Sequence, residues 1–274
     1  MNPVTLPAEY YQQFDADYAR EVPAEGFGGW KKTDIELSPQ HTALVVMHAW
    51  EAGTMEQWPG WRRCVEYHPR ALKILAEVFP PLLSAVRASA LPVFHVVGGR
   101  DYYSHLPGYK NTVKLAGPSP QYAQVAKDPV LERLETFRGK NVFVGERNRP
   151  DVDAGWKFLD FAPEARPVGD EPIAEDGHQL AAVCRAHGVN HLVYIGFAIN
   201  WCLLMSPGGM VDMGRYGVMC STIREAVTAV ENGETARTER EKRQALWRVA
   251  INSGFVFGLE DFTKTVAAMP RRKP

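Results

Sequence analysis

Apolar and polar positions along this chain follow two rhythms. Short apolar runs free of charge recur at ALVVM (43–47), LPVFHVV (91–97), NVFVG (141–145), HLVYIGF (191–197), YGVMCST (216–222) and GFVFG (254–258). Several are rich in β-branched residues, which is how strands buried on both faces of a parallel sheet read. Between them the apolar spacing changes to three and four. Leu72, Leu75, Ala76, Phe79, Leu83 and Val86 predict a helix over 69–89 that Pro80 and Pro81 bend or restart. Leu180, Val183 and Cys184 share a helix face over 174–187 that ends at His187-Gly188, a suitable cap. Ala245, Leu246, Val249 and Ala250 do the same over 238–252, with charges opposite. Strand, helix, strand repetition predicts an α/β fold, a three-layer doubly wound parallel sheet of about six strands with right-handed crossovers.

Three stretches depart from this alternation. Residues 1–40 hold Tyr10, Tyr11, Phe14, Phe27 and Trp30 without a strong period, and read as an N-terminal arm packing on the domain or on a neighbouring subunit. Residues 98–140, rich in Gly, Pro and Tyr before one short helix, and residues 146–173, with four prolines, read as long insertions. Insertions of that length are often lids or binding loops. No linker divides the rest, so residues 41–274 are expected to form one domain.

Composition narrows the function classes. Thirty-one Lys and Arg against 32 Asp and Glu leave a formal charge of -1. That balance offers no electrostatic case for nucleic acid or an anionic membrane, and the basic tail Arg271, Arg272, Lys273 is too short to change it. No apolar run is long enough to span a bilayer, and the opening residues lack the pattern of a secretory signal. Four scattered cysteines, Cys64, Cys184, Cys202 and Cys220, suggest reduced thiols in a cytoplasmic protein rather than a disulfide scaffold. Motifs for nicotinamide cofactors, P-loop nucleotides, zinc proteases and serine hydrolases are missing, so no cofactor is expected.

In open parallel sheets ligands bind beyond the carboxyl ends of the strands. There the chain carries Met47-His48-Ala49-Trp50-Glu51, Gly98-Gly99-Arg100-Asp101, Glu146-Arg147-Asn148-Arg149 and Gly196-Phe197-Ala198-Ile199-Asn200-Trp201-Cys202. Cys202 is expected at the start of the helix after its strand, where free N–H groups favour a thiolate and can cradle an oxyanion. The other three cysteines lack such a setting and read as packing residues. Trp50 and Trp201 flank the site and suit a planar or aromatic substrate. Arg147 and Arg149 can clamp a carboxylate or stay solvated.

The segment HLVYIGFAINWCLL resembles the strand, turn and nucleophile of the isochorismatase-like cysteine hydrolases. That family reads G-V-A-T-N-x-C there, and this chain reads G-F-A-I-N-W-C, matching at Gly196, Ala198, Asn200 and Cys202. TALVVMHAW, ALPVFHVV, GVMCSTIREAV and GFVFGLEDF resemble its first, second, fifth and closing strands, in order over residues 42–265. The resemblance implies a Rossmann-like sheet and attack of a cysteine thiolate on a carbonyl. It also implies an aspartate base after the first strand, a lysine after the third, a non-proline cis peptide near Ala198–Ile199, and a homo-oligomer.

The chain departs from that pattern where the chemistry lies. His48 stands at the aspartate position, and Glu146, with Arg147 beside it, at the lysine position. One reading is a rebuilt triad: Cys202 as nucleophile, His48 as base, Glu146 orienting it, and backbone N–H groups near Ala198 and Ile199 holding the oxyanion. It implies hydrolysis of a small amide, or a related C–N or ester bond. The other is a degenerate site that binds a small ligand or a partner without turnover. The Asp-x-His metal pattern of nicotinamidases is not reproduced around His95, Asp101 and His105, so no metal is expected.

Overall fold

A computed structural model describes residues 2–270. Its strands are β1 (Val4–Gln12), β2 (Gly29–Leu37), β3 (Thr42–Met47), β4 (Trp50–Glu51), β5 (Val93–Val96), β6 (Asp160–Phe161), β7 (Ile173–Ala174), β8 (His191–Phe197), β9 (Met219–Thr228) and β10 (Val256–Phe257). The helices are α1 (Pro59–Cys64), α2 (His68–Glu77), α3 (Phe79–Arg87), α4 (Pro107–Ala116), α5 (Pro129–Asn141), α6 (Arg149–Gly155), α7 (Gly177–His187), α8 (Met210–Gly214), α9 (Arg240–Asn252) and α10 (Leu259–Ala267).

The main sheet runs β2-β1-β10-β9-β8-β3-β5-β7. The six strands from β10 to β7 are parallel, and β1 and β2 extend them antiparallel, so the sheet holds eight strands rather than about six. Side chains alternate across it. Leu44, Val46, Val93, Val193 and Ile195 bury against α2, α3 and α10 on one face. Ala43, Val45, Met47, Phe94, Leu192 and Tyr194 bury on the other, in a core shared with Leu180 and Val183 of α7 and Leu246 and Val249 of α9. Both faces are therefore covered, which explains why β3 and β8 read as unbroken apolar runs. Pro80 and Pro81 open α3 after a break at Val78, and Gly188 closes α7 in the left-handed region.

Residues 4–37 carry no strong period, yet form a hairpin of the main sheet. Leu6 and Ala8 of β1 bury, and Glu9 sits opposite Val256 of β10. Arg224 of β9 pairs with Glu9, and Lys32 Nζ with Asp261 at 2.8 Å.

The stretch NVFVG is not a strand, and this corrects the placement of the third parallel strand. The N–H groups of Phe143, Gly145 and Glu146 bond the carbonyls of Arg138, Gly139 and Lys140 at the end of α5, at 3.1, 3.1 and 3.2 Å. They cap a helix and are not available to a sheet ladder. The third parallel strand is β7, which pairs His95 with Ile173 and Val96 with Ala174 at the sheet edge. The strand order reverses between β3 and β8, and the crevice above their carboxyl ends is where such sheets bind ligands.

Gly196 makes this crevice possible. Its φ is 125°, and a side chain there would collide with the Met47 backbone of β3. Gly196→Ala is expected to cost about 2–4 kcal/mol of stability, from strain and collision together. The shift in urea midpoint measures it.

Candidate active site

His48 follows β3 with φ of 51°, a backbone that aims its ring above the sheet edge. On the adjacent β8 the Phe197–Ala198 peptide is cis, one residue before the expected Ala198–Ile199 position. Residues Ile199–Leu203 then form a single π-helical turn, and Pro207-Gly208-Gly209 separates it from α8. Cys202 thus lies within a short widened turn, with the N–H groups of Trp201 and Leu203 both bonded to the Ala198 carbonyl. A long helix does not start at the thiol, so a helix dipole adds little to thiolate stabilisation there.

Cys202 and His48 line one cavity of about 470 Å³. Trp50, Trp61, Tyr67, Phe143, Trp156, Phe197 and Trp201 also face it, so its wall is apolar and rich in aromatic rings. Two insertions supply much of this wall. Residues 52–65 bring Trp61 and Cys64 on α1, and residues 144–161 bring Val152 on α6 and then Trp156. The small sheet of β4 on β6 fastens them together, and the Ala162 N–H bonds the Ala49 carbonyl at 2.9 Å.

The electrostatics are those of neutral groups. Burial pushes the half-buried Cys202 thiol above its ordinary range; the Ser206 side chain and the backbone at Ala198 and Cys202 pull the other way by hydrogen bonding to the sulfur. Burial holds His48 down at about 4, against a hydrogen bond to the Val97 backbone that raises it. Its Nδ1 is buried without a partner, and the ring stacks on Trp50 at 4.5 Å and 21°. The imidazole is therefore uncharged near neutral pH.

Glu146 does not join this site. It is exposed, pairs with Lys140 Nζ at 3.0 Å and lies outside the cavity lining, because the segment before it caps α5. Arg147 is also exposed and outside the lining. Ala198 and Ile199 are buried beneath the turn, while Trp201 is 42% exposed at the mouth and packs edge-on against Phe143.

Three lining residues escaped the sequence reading. Glu175 follows β7 and faces the cavity, with Tyr103 Oη donating to Oε1 at 2.6 Å and Tyr109 Oη to Oε2 at 2.7 Å. His68 receives the Trp61 Nε1 proton on Nε2 at 3.0 Å, and burial holds it at about 4. Cys64, read as a packing residue, faces the cavity and donates its thiol to the Val144 carbonyl at 3.1 Å. No periodicity marks Glu175 in the sequence, because the strand before it, β7, is only two residues long.

No protein-family model matches the chain, and no curated protein matches it. Among solved structures it is similar to a cysteine hydrolase from Pseudomonas syringae pv. phaseolicola 1448A, at 15% identity over 84% of this chain and 94% of that one, with a TM-score of 0.47. It is also similar to an isochorismatase-like hydrolase from Alkaliphilus metalliredigens, at 15% identity over 82% and 98%, TM-score 0.46. A third is the pyrazinamidase of Pyrococcus horikoshii, at 16% identity over 80% and 99%, TM-score 0.38.

Among the described residues no cluster of three or more His, Cys, Asp or Glu is placed to hold a metal ion. His95 is buried against Glu171, its Nε2 2.8 Å from Oε2, and Asp101 and His105 are exposed. Among the same residues no helix is long and apolar enough to cross a membrane. Arg271, Arg272 and Lys273 lie outside the described residues.

Proposed function

We propose that the chain is a divergent isochorismatase-like cysteine hydrolase acting on a small, uncharged amide or related C–N or ester bond. One observation carries this reading. A thiol and an uncharged imidazole line the same apolar cavity, at the ends of the two strands where the sheet order reverses. Cys202 loses its proton to His48 as its sulfur bonds the carbonyl carbon. The oxyanion so formed faces backbone N–H groups of the Ala198–Cys202 turn. Collapse breaks the C–N bond, the imidazolium returns the proton to the departing amine, and water then cleaves the thioester. In this reading the carboxylate role passes from Glu146 to Glu175, which faces the same cavity. The wall carries no Lys or Arg, which suits a substrate without a carboxylate.

The resting thiol is protonated, so its reactivity is expected to grow with pH. Alkylation of Cys202 by iodoacetamide, located by peptide mass, should be slow near neutrality and accelerate about tenfold per pH unit toward the raised thiol range. A substrate that forms the thioester should add its acyl mass to Cys202 in the intact protein, and His48→Phe should stop that addition.

A second reading rests on the same electrostatics. Two neutral groups do not make an ion pair unaided, and Trp50 stacks on His48. A ligand-binding protein on this scaffold uses the aromatic cavity without turnover. Persistent saturable binding of small amides, with no acyl adduct at any pH, selects this reading over the first.

A further inference from the structure

A charge drawn out of water ordinarily has a partner of opposite sign. The half-buried Glu175 does not. Tyr103 Oη donates to its Oε1 at 2.6 Å, Tyr109 Oη to its Oε2 at 2.7 Å, and Gln179 Nε2 to Oε2 at 3.3 Å. All three donors are neutral: burial first and Glu175 next push both phenols up, Tyr109 to about 12. Among the described residues no Lys or Arg pairs with this carboxylate.

Nothing else in the cavity supplies a positive charge. No Lys or Arg lines it, burial holds His48 and His68 at about 4, and burial pushes the Cys64 and Cys202 thiols up. His48 is uncharged at rest, so it does not occupy the carboxylate either. Near neutral pH the cavity is a negative site in an apolar wall, and the missing counter-charge belongs to what it binds.

The wall indicates which cation fits. Trp50, Trp61, Trp156 and Trp201 face the cavity, and indole is the side chain whose ring face attracts a cation best. Trp50 meets Trp156 at 5.6 Å and 66°, and Trp61 meets Trp156 at 5.1 Å and 60°. Rings inclined in this way make a concave wall rather than a flat stack. A primary ammonium brings three N–H donors that each need an acceptor. The two oxygens of Glu175 already hold three donors and have little left for more. A quaternary ammonium has no N–H to satisfy and presents its methyl groups to the rings.

We propose that the cavity binds a small molecule bearing a quaternary ammonium group, seated among the indoles with Glu175 as its counter-charge. Such a group fits either reading of the cavity: on a substrate it lies apart from the uncharged amide that Cys202 attacks.

Calorimetry on the full chain carrying Cys202→Ala tests this without depending on turnover. Glycine betaine amide and tert-butylacetamide share one shape and differ in a cationic nitrogen against a carbon. The cation should bind about tenfold more tightly or better, and glycinamide, a primary ammonium, should bind more weakly than glycine betaine amide. Glu175→Gln should remove most of the preference for the charged probe. Tyr109→Phe takes away one hydrogen bond but keeps the carboxylate, and should retain that preference. The comparison of probes on the parent chain decides even where Glu175→Gln does not fold. Equal affinity for the two isosteres, no binding of glycine betaine amide at millimolar concentration, or tighter binding of glycinamide overturns the proposal. So does a preference that survives in folded Glu175→Gln or disappears in Tyr109→Phe.

Discussion

Lowering the pH from 6.5 to 4 is expected to remove on the order of 10 kcal/mol of folding stability, enough to unfold the protein. Burial holds His48, His68 and His191 at about 4, against an ordinary value of 6.5. In that window the unfolded chain binds protons on these rings and the folded chain does not. Stability therefore rises with pH through the window and is lost as pH falls. Each ring contributes about 3 kcal/mol. His95, fully enclosed beside Glu171, is lowered by burial and acts in the same direction. Glu171 is different: although burial raises it, His95 and Arg87 hold it near 2, so its contribution is intact above about 4.5 and is lost progressively as pH falls from there toward 2. Melting temperature followed from neutral pH to 4 measures the slope. His191→Gln should flatten that slope by up to about 1.4 kcal/mol per pH unit. A melting temperature that stays level across the window rules the account out.

Replacing Cys202 by alanine should lower kcat/KM on any amide or ester the protein turns over by at least about 10³-fold, with folding intact. The size follows from the role proposed for the sulfur, since without it the cavity only binds. The carboxylates separate the triad expected from the sequence from the one proposed here. Glu146→Gln should leave the rate within about twofold, because it changes an exposed ion pair. Glu175→Gln should slow turnover about tenfold or more, because it changes the carboxylate that faces the cavity. The reverse pattern would return the role to Glu146 and remove Glu175 from the mechanism.

The parts legible in the sequence are those whose structure is dictated locally. β3 and β8 are covered on both faces, so their apolar runs stand out, and the turn from Gly196 to Cys202 keeps its spacing. β7 was not legible, because two residues between Pro172 and Glu175 carry no period and take their strand geometry from β5. NVFVG and GFVFG are near equals as sequences. What separates them is where they end up, against α5 carbonyls in one case and between β1 and β9 of the main sheet in the other. That one misplacement put Glu146 at the expected site, whereas Glu175 after β7 is the carboxylate that lines the cavity. In β1 the alternation of Leu6 and Ala8 is masked by Pro7 between them and by the run Glu9-Tyr10-Tyr11. The cavity wall was opaque for a related reason. Its tryptophans come from separate insertions, and their convergence on His48 and Cys202 is a property of the assembled sheet.

The hairpin of β1 and β2 sets a temporal order on synthesis. Among the described residues its backbone pairing with the parallel strands is through β10, where Glu9 meets Val256 across nearly the whole chain. During translation the hairpin emerges early and has no edge to join until the β10 segment has left the ribosome. Pairings between segments so distant in sequence are slow and leave unpaired edges open to aggregation in the meantime. Nascent chains halted before residue 256 should therefore depend on chaperones far more than the finished protein does.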